Sequence, residues 1–367
     1  MIKLGECLTI KHGWAFKGEF FAESGEQSIL TPGNFFEAGG FKYNDERERY
    51  YTGEYPAEYL CKKGDLIVAM TEQAGGLLGS TAIVPKDNRY LHNQRIGLVT
   101  CDEKQITKMF AYYLFMTKSV REQISRTSSG TKVKHTSPEK IYDVEVSLPD
   151  IPTQKKIAHF LWTIDCKIRS NNQINDNLQQ MSVATYMHLF YSKKYNGRLG
   201  DILVENAKST IQVGKAKDKF GGYPFFTSGD AVLRWIEPIV EGRNTFLNTG
   251  GNADVKFYVG ATAYSTDTWC VTAKDGMEDY LYLLLSSIKQ ELNLKFFQGT
   301  GLKHLQKPLL KDKAIYIPSK EEISSFNADV KPWLSMISDN TRESYRLSAL
   351  RDWLLPMLMN GQATISD

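Results

Sequence analysis

The stretch that decides the fold is Ile157-Ala158-His159-Phe160-Leu161-Trp162-Thr163-Ile164-Asp165-Cys166-Lys167-Ile168-Arg169-Ser170-Asn171. Ile157, Leu161, Ile164, Ile168 and Asn171, continued by Asn175 and Leu178, recur in alternating steps of four and three. That is the spacing of a heptad seam on a long helix. Phe326, Val330, Trp333, Ile337, Asn340, Ser344 and Leu347 repeat the alternation. Pro152 suits a first helical position, and Ser319-Lys320-Glu321-Glu322 reads as a capping box. About 40 residues rising 1.5 Å each give a helix on the order of 60 Å long. A small globule cannot bury such a stripe, so the predicted partner is the helix's own copy, in an intramolecular coiled coil. Its seam is expected to set Leu161, Ile164, Ile168, Asn171 and Leu178 against Val330, Trp333, Ile337, Asn340 and Leu347. Asn171 and Asn340 hold equivalent places. They are either solvated interruptions or a buried polar pair that fixes register at a cost in stability.

Working outward, the two helices close the two halves of a duplication. Leu4-Gly5-Glu6-Cys7-Leu8 is echoed by Leu199-Gly200-Asp201-Ile202-Leu203, and Leu30-Thr31-Pro32-Gly33 by Phe226-Thr227-Ser228-Gly229. Gly130-Thr131-Lys132-Val133-Lys134-His135 is echoed by Gly299-Thr300-Gly301-Leu302-Lys303-His304. From there the offset stays constant, pairing Pro149 with Pro318, Ile164 with Trp333, Asn171 with Asn340 and Leu178 with Leu347. Short runs such as Asp65–Met70 and Lys256–Val259, bounded by turn residues, predict strands. Helical patches are expected at Met109–Ile124 and Tyr280–Leu292. The predicted fold class is α/β: two mixed α/β globules separated by two long antiparallel helices, with a pseudo-twofold internal repeat. The expected segments are a first globule over 1–150, a central helix over 151–191, a linker over 192–198, a second globule over 199–318, a final helix over 319–360 and a tail over 361–367. The antiparallel sense follows from the short linker, and it would place one globule at each end of a rod.

The 367 residues suggest two or three domains. With 42% hydrophobic and 24% charged residues the composition is that of a soluble globular protein. The net charge of +3 excludes a histone-like polycation and leaves room for local basic surfaces. No apolar run is long enough to span a bilayer, and the opening residues lack the layout of a signal peptide. Cys7, Cys61, Cys101, Cys166 and Cys270 are odd in number and far apart, which fits neither a disulfide framework nor a zinc site. A cytoplasmic protein with free thiols is expected.

No Walker loop, dinucleotide fingerprint or helical histidine pair is present in the sequence. Asp150 with Asp165 and Lys167 imitates a nuclease signature, but Asp165 falls deep in a predicted helix and the second half has no equivalent. What recurs is a basic loop of small residues. Arg126, Thr131, Lys132, Lys134 and His135 in the first half, and Lys295, Thr300, Lys303 and His304 in the second, combine backbone amides, hydroxyls and cations suited to DNA phosphates. The surrounding segments, with Lys118 and Arg121 in one and Lys307, Lys311 and Lys313 in the other, are also basic by count. Candidate readers of base edges are Asn34, Gln73, Asn93, Gln94 and Arg95, and then Asp230, Arg243, Asn252 and Thr266. These sets diverge between the halves while the helices and basic loops match, as two different readers on one scaffold would require.

The residues from Pro149-Asp150-Ile151-Pro152-Thr153-Gln154 through Ile157, Leu161, Asp165 and Ile168 resemble the entry to the long helix in the specificity subunit of type I restriction-modification systems. Thr153 stands where that family usually has Glu, and Leu334 stands in the second copy where Asp165 stands in the first. Leu4-Gly5-Glu6, Gly64-Asp65-Leu66-Ile67-Val68 and the Gly130-Thr131 loop also fit. The resemblance implies two target-recognition domains, each reading half of a bipartite double-stranded DNA site. It also implies a helical spacer that docks two modification subunits, which methylate adenine with S-adenosylmethionine, and restriction subunits that use ATP and Mg. No catalysis, cofactor or metal is then expected on this chain, and the lack of an Asn-Pro-Pro-aromatic motif agrees with that division of labour. The rival reading is a two-headed coiled-coil scaffold for a glycan or a protein.

Overall fold

The computed structural model describes residues 1–43, 48–73, 75–216 and 221–365, so the last two residues of the expected tail lie outside the described residues. The chain divides into two compact units: Met1–Cys166 with Leu347–Asp367, and Lys167–Arg346. The long helices are therefore not bodies of their own, because each contributes a part to both units.

The first unit is organised by the run the sequence marks as a strand. Leu66–Ala69 is wholly buried in the middle of an antiparallel sheet ordered Leu8–His12, Ile96–Cys101, Leu66–Ala69, Thr81–Ile83. Side chains alternate across a strand. Leu66, Val68 and Met70 enter a core with Phe110, Tyr113 and Leu161, whereas Ile67 and Ala69 enter another with Leu30, Phe35 and Tyr90. Burial on both faces explains why the run is apolar without a break. The helical patch forms as two helices, Lys108–Leu114 and Lys118–Thr127, because Thr117 caps the second by accepting from Val120 N.

The second unit has the same plan. Its antiparallel sheet is ordered Leu203–Glu205, Thr268–Ala273, Arg243–Asn248, Val255–Val259. Each unit adds a parallel pair, Ser28–Ile29 with Tyr90–Leu91 and Tyr223–Phe226 with Ala263–Tyr264. The second helical patch is the helix Glu278–Ser287, followed by the short helix Lys289–Glu291 and a π turn over Leu292–Phe296.

The long helices run over Ile151–Phe190 and Lys320–Met359, 40 residues each. Asp150 Oδ1 caps the first by accepting from Thr153 N at 3.0 Å. The second starts with a true capping box: Glu322 N donates to Ser319 Oγ at 3.2 Å, and Ser319 N to Glu322 Oε2 at 2.9 Å. Within the second unit the helices run antiparallel, since Lys193 pairs with Glu322 while Asn171 meets Ser344. Their stripes are not reserved for each other. Ile157, Ala158 and Leu161 join the first unit's core with Leu355, Leu358 and Met359; Val330 and Leu334 join the second unit's core with Tyr186 and Phe190, and Trp333 and Ile337 pack against it. Ile164 is buried, while Ile168, Leu178 and Leu347 are only half-buried. The expectation that a globule cannot take up the stripe is corrected here, because each globule takes up only one stretch of each helix.

The seam around the asparagines is polar. Asn171 is fully buried and its Nδ2 donates to Glu343 Oε2 at 2.7 Å and Ser344 Oγ at 3.3 Å, while its Oδ1 has no partner. Asn340 Nδ2 donates to Asn175 Oδ1 at 2.9 Å. The two equivalent asparagines thus form a staggered network rather than a mutual side-chain pair.

In the first unit Asp165 is buried between Arg351, whose Nη1 donates at 2.7 Å, and Tyr113, whose hydroxyl donates at 2.6 Å. The equivalent of Asp165 in the second half is Leu334, also buried, so the scaffold accepts an apolar residue at this position. Asp165→Ala should cost about 3 kcal/mol, the low end for breaking a buried ion pair, because Arg351 keeps the exposed Asp352 as its second partner. Asp165→Leu with Arg351→Met should recover most of it. Urea unfolding of the full chain checks this, and a double variant no better than the single one contradicts it.

Candidate nucleic-acid interface

The repeated Gly-Thr loops are closed hairpins. Ser129 N donates to His135 O at 2.9 Å and His135 N to Ser129 O at 2.8 Å. In the second unit Phe297–Gln298 pairs with His304–Leu305, placing Gln298 opposite His304 as Ser129 is opposite His135. The turns need glycine. Gly130 has φ +99°, and a Cβ there would fall 2.0 Å from Val133 O; Gly299 has φ +152°, and a Cβ would fall 2.5 Å from Leu302 O.

Each hairpin docks on the chain leaving the central strand of its sheet. Lys134–His135 pairs with Thr71–Glu72, and Thr136 N donates to Met70 O at 2.9 Å. Leu305 N donates to Thr249 O at 3.0 Å, and Gly251 N to Lys303 O at 2.9 Å. The residue after the docking point is Gln73 in one unit and Asn252 in the other, both exposed amide side chains. The other loops gather at the same end of each sheet. Residues 93–95 lead into Ile96, which pairs with Ala69, and Met70 N donates to Arg95 O at 3.0 Å. Thr266 precedes Thr268, which pairs with Asn248. Thr31–Asn34 and Thr227–Asp230 follow the parallel strands.

In the first unit these loops frame an open cleft of about 860 Å³ lined by Gln73, Arg95, Lys42, Arg49, Phe35 and Phe36. Sequence reasoning passed over Lys42, Arg49 and Phe36, which lie in an irregular segment without period. The only available signal was their basic and aromatic composition. Buried groups hold the cleft's wall. Glu72 accepts from Leu77 N at 2.9 Å and Leu78 N at 2.8 Å. Arg121 donates to the carbonyls of Phe115, Gly76, Leu78 and Glu37, and burial pulls its guanidinium down to about 10. Arg121 is therefore a clamp on the cleft and not part of a free basic face. Beneath residues 93–95, His92 is buried with Nε2 at 2.8 Å from Ile96 O, and burial lowers its pKa to about 4, so the imidazole is neutral.

The sequence candidates divide by what their side chains already do. Asn34 is buried and caps its own turn, accepting from Thr31 N at 2.9 Å, so it is corrected to a turn-former. Arg243 opens its strand, at the opposite end of the sheet from the loops. There its Nε donates to buried Asp279 at 2.7 Å and its Nη1 to Ser335 Oγ at 2.8 Å, so it is a structural cation. Asn93 accepts from Arg95 N at 3.1 Å within its turn. Gln94, Arg95 and Asp230 are exposed, and Thr266 is half-buried beside Asp267. Arg126 pairs with Glu122 at 3.6 Å, Lys134 with Glu72 at 3.9 Å, and His135 Nδ1 lies 3.1 Å from Thr71 Oγ1. Thr131, Thr300 and His304 are exposed.

The second basic loop is less charged than its sequence suggests. Glu291 takes Lys295 at 3.1 Å and Lys313 at 2.9 Å, and Glu205 takes Lys307 and Lys311. Glu205 lies far away in sequence, so counting along the loop could not include it. Lys132 and Lys303 are the lysines of the two hairpins that form no ion pair among the described residues. The nuclease-like pair is separated as well: Asp150 caps a helix and Asp165 is bound to Arg351. No helix among the described residues is long and apolar enough to cross a membrane.

The profile of the type I restriction modification DNA specificity domain matches this chain twice, over residues 1–180 and 192–330. The type I restriction enzyme MjaVIII specificity subunit of Methanocaldococcus jannaschii is 24% identical over 186 residues, covering 49% of this chain and 42% of that protein. The MjaIX specificity subunit of the same organism is 22% identical over 308 residues, covering 71% of this chain and 70% of that protein. The match to the first of these relatives therefore spans less than half of its length. Among solved structures, the S subunit of a type I restriction-modification system from M. genitalium shares the fold with a TM-score of 0.65 at 14% identity, covering 99% of this chain and 96% of that one.

Removing the Glu72 carboxylate takes the acceptor from the buried Leu78 amide and the half-buried Leu77 amide. Glu72→Ala should cost about 1–3 kcal/mol and speed amide exchange at Leu77 and Leu78 while Leu66–Ala69 stays protected. Unchanged exchange at those two amides would show that the carboxylate does not hold the wall.

Proposed function

The chain belongs to the type I restriction-modification DNA specificity family, and from that premise we propose that it is the sequence-reading subunit of such a system. It recognises a bipartite double-stranded DNA target, one part with each repeat, with the helices acting as the spacer. It directs two modification subunits, adenine methyltransferases carrying S-adenosylmethionine, and restriction subunits using ATP and Mg to that target in the cytoplasm. The chain itself is the non-catalytic partner.

One observation carries this reading. In both repeats an exposed amide, Gln73 or Asn252, follows directly on the docking point of a Gly-Thr hairpin that bears a lysine with no ion pair among the described residues, Lys132 or Lys303. A cation beside glycine amides suits a phosphate and sets position, while an amide side chain pairs with an adenine edge and supplies selection. The divergence between Gln73 with Arg95 and Asn252 with Thr266 supports two unlike half-sites.

Lys132→Ala and Lys303→Ala should each weaken DNA binding on all sequences and lower the salt slope by about one. A titration of the full chain with DNA at several salt concentrations reads both quantities, and salt-independent association would instead favour a scaffold for another ligand. Gln73→Ala and Asn252→Ala should shift selectivity at one part of the target each, by about 1–3 kcal/mol per lost base pair contact. Mapping methylated adenines after co-expression with the modification subunit measures the shift, and an unaltered map removes these residues as readers.

A further inference from the structure

The second unit holds a concavity that its reading loops do not line. Tyr223–Phe226 begins there and Val255–Val259 ends there, whereas the loops follow Phe226 and Asn248, the far ends of Tyr223–Phe226 and of the strand Arg243–Asn248, whose Arg243 pairs with Val259. The concavity has a volume of about 410 Å³. Its charged lining is Arg234 from the strand Val232–Trp235 and Arg342 and Arg346 from the long helix, with Tyr258 and Tyr345 between them. No carboxylate lines it among the described residues.

Two of the guanidiniums are fixed in place, Arg234 by neutral groups and Arg342 by neutral acceptors together with one carboxylate. Arg234 lies 3.9 Å from the centre of the Tyr345 ring, and its donors reach the carbonyls of Gly221 and Gly222. Arg342 Nη1 donates to Tyr258 Oη at 3.1 Å and Val259 O at 2.6 Å, and Asp339 outside the lining pairs with it. Arg346 is exposed and has no partner among the described residues. Carbonyls and phenols orient a guanidinium without neutralising it, so with Arg342 paired to Asp339 the cluster still carries two uncompensated cations, Arg234 and Arg346, among the described residues. The scaffold does not require them. At the equivalent helix positions the first repeat carries Gln173, Asp176 and Asn177 in place of Arg342, Tyr345 and Arg346. A cationic cluster that one repeat omits, preorganised on aromatic faces, matches planar recognition of an oxyanion.

We propose that this concavity binds a phosphate group, carried by a free nucleotide or by the DNA backbone. Its volume falls in the lower range of small-ligand sites, enough for a phosphate with one nucleoside. Arg234 and Arg346 grip the oxygens, and the tyrosines offer faces to the adjoining ring. Because the lining of the site includes none of Gln73, Lys132, Asn252 and Lys303, its failure and the failure of the reading loops are separable.

The test is calorimetric titration of the full chain with inorganic phosphate, with AMP and with a short DNA duplex, for the native chain, Arg346→Ala, Arg234→Gln and Gln73→Ala. Saturable binding of phosphate or AMP is expected, weakened about tenfold by Arg346→Ala through loss of a charge-assisted contact, and unchanged by Gln73→Ala. The melting temperature of Arg346→Ala should equal that of the native chain, since its side chain is exposed. A loss confined to the duplex assigns the phosphate to the DNA backbone, and a loss confined to AMP or phosphate assigns it to a free ligand. If Arg346→Ala and folded Arg234→Gln change none of these affinities, the proposal is overturned.

Discussion

Two backbone hydrogen bonds, Thr136 N to Met70 O and Leu305 N to Thr249 O, fix where the two Gly-Thr hairpins stand. Each ties a hairpin to the residue just past a central strand. The strand cannot shift, because a one-residue slip would send Leu66 and Val68 into the space of Ile67 and Ala69. The rigidity of a doubly buried strand thus passes to a surface turn through one docking point, and the amide side chain beyond it inherits a defined position. Binding groups placed on rigid elements lose less freedom when a ligand arrives. Glu72 and Arg121 extend the same order into the cleft wall by satisfying amides and carbonyls that no sheet ladder reaches.

The duplication is one of backbone more than of chemistry. Sheet order, parallel pair, hairpin and long helix recur, yet polar choices inside that frame differ. Asp165 with Arg351 answers to Leu334 with Ser182. The Glu205 and Glu291 clamps neutralise lysines in one half, whereas the basic hairpin of the other half leans on Glu72. Buried polar groups are costly unless satisfied, so each such difference changes which pairings of helix with helix are tolerated. Asn171, buried with one oxygen unpartnered, belongs to this class: its donors find Glu343 and Ser344 in one register, and a slide along the seam would orphan them too.

Much of the frame is legible in the sequence because it follows from periodicity. A helix that buries one face must repeat its apolar residues, and a helix start must satisfy free amides, which is why both long helices and the Ser319 capping box could be read. The hairpins are legible through glycine, since Gly130 and Gly299 sit where a side chain would strike a carbonyl. What was not legible depends on distant partners. Asn34 and Gln73 are both amides in loops, and only the folded turn shows that the first serves itself and the second faces outward. Arg243 looks like a reader of guanine until Asp279 and the long helix close on it. The break at Thr117 hid in a helical patch because a threonine cap leaves the apolar period almost intact.

The core of the first unit contains Leu355, Leu358 and Met359, residues from close to the end of the chain. Synthesis from the amino terminus therefore delivers the first unit's missing piece last. While the ribosome is still adding the final helix, Ile157, Ala158 and Leu161 lack the part of their core that Leu355, Leu358 and Met359 supply. The contiguous second unit, although made later, is the earlier of the two to have all its parts. Domains usually mature in order of emergence; here the order is inverted. A chain cut short before Leu347 would strip Leu355, Leu358 and Met359 from the core of the first unit, so its effect would fall on the globule made first.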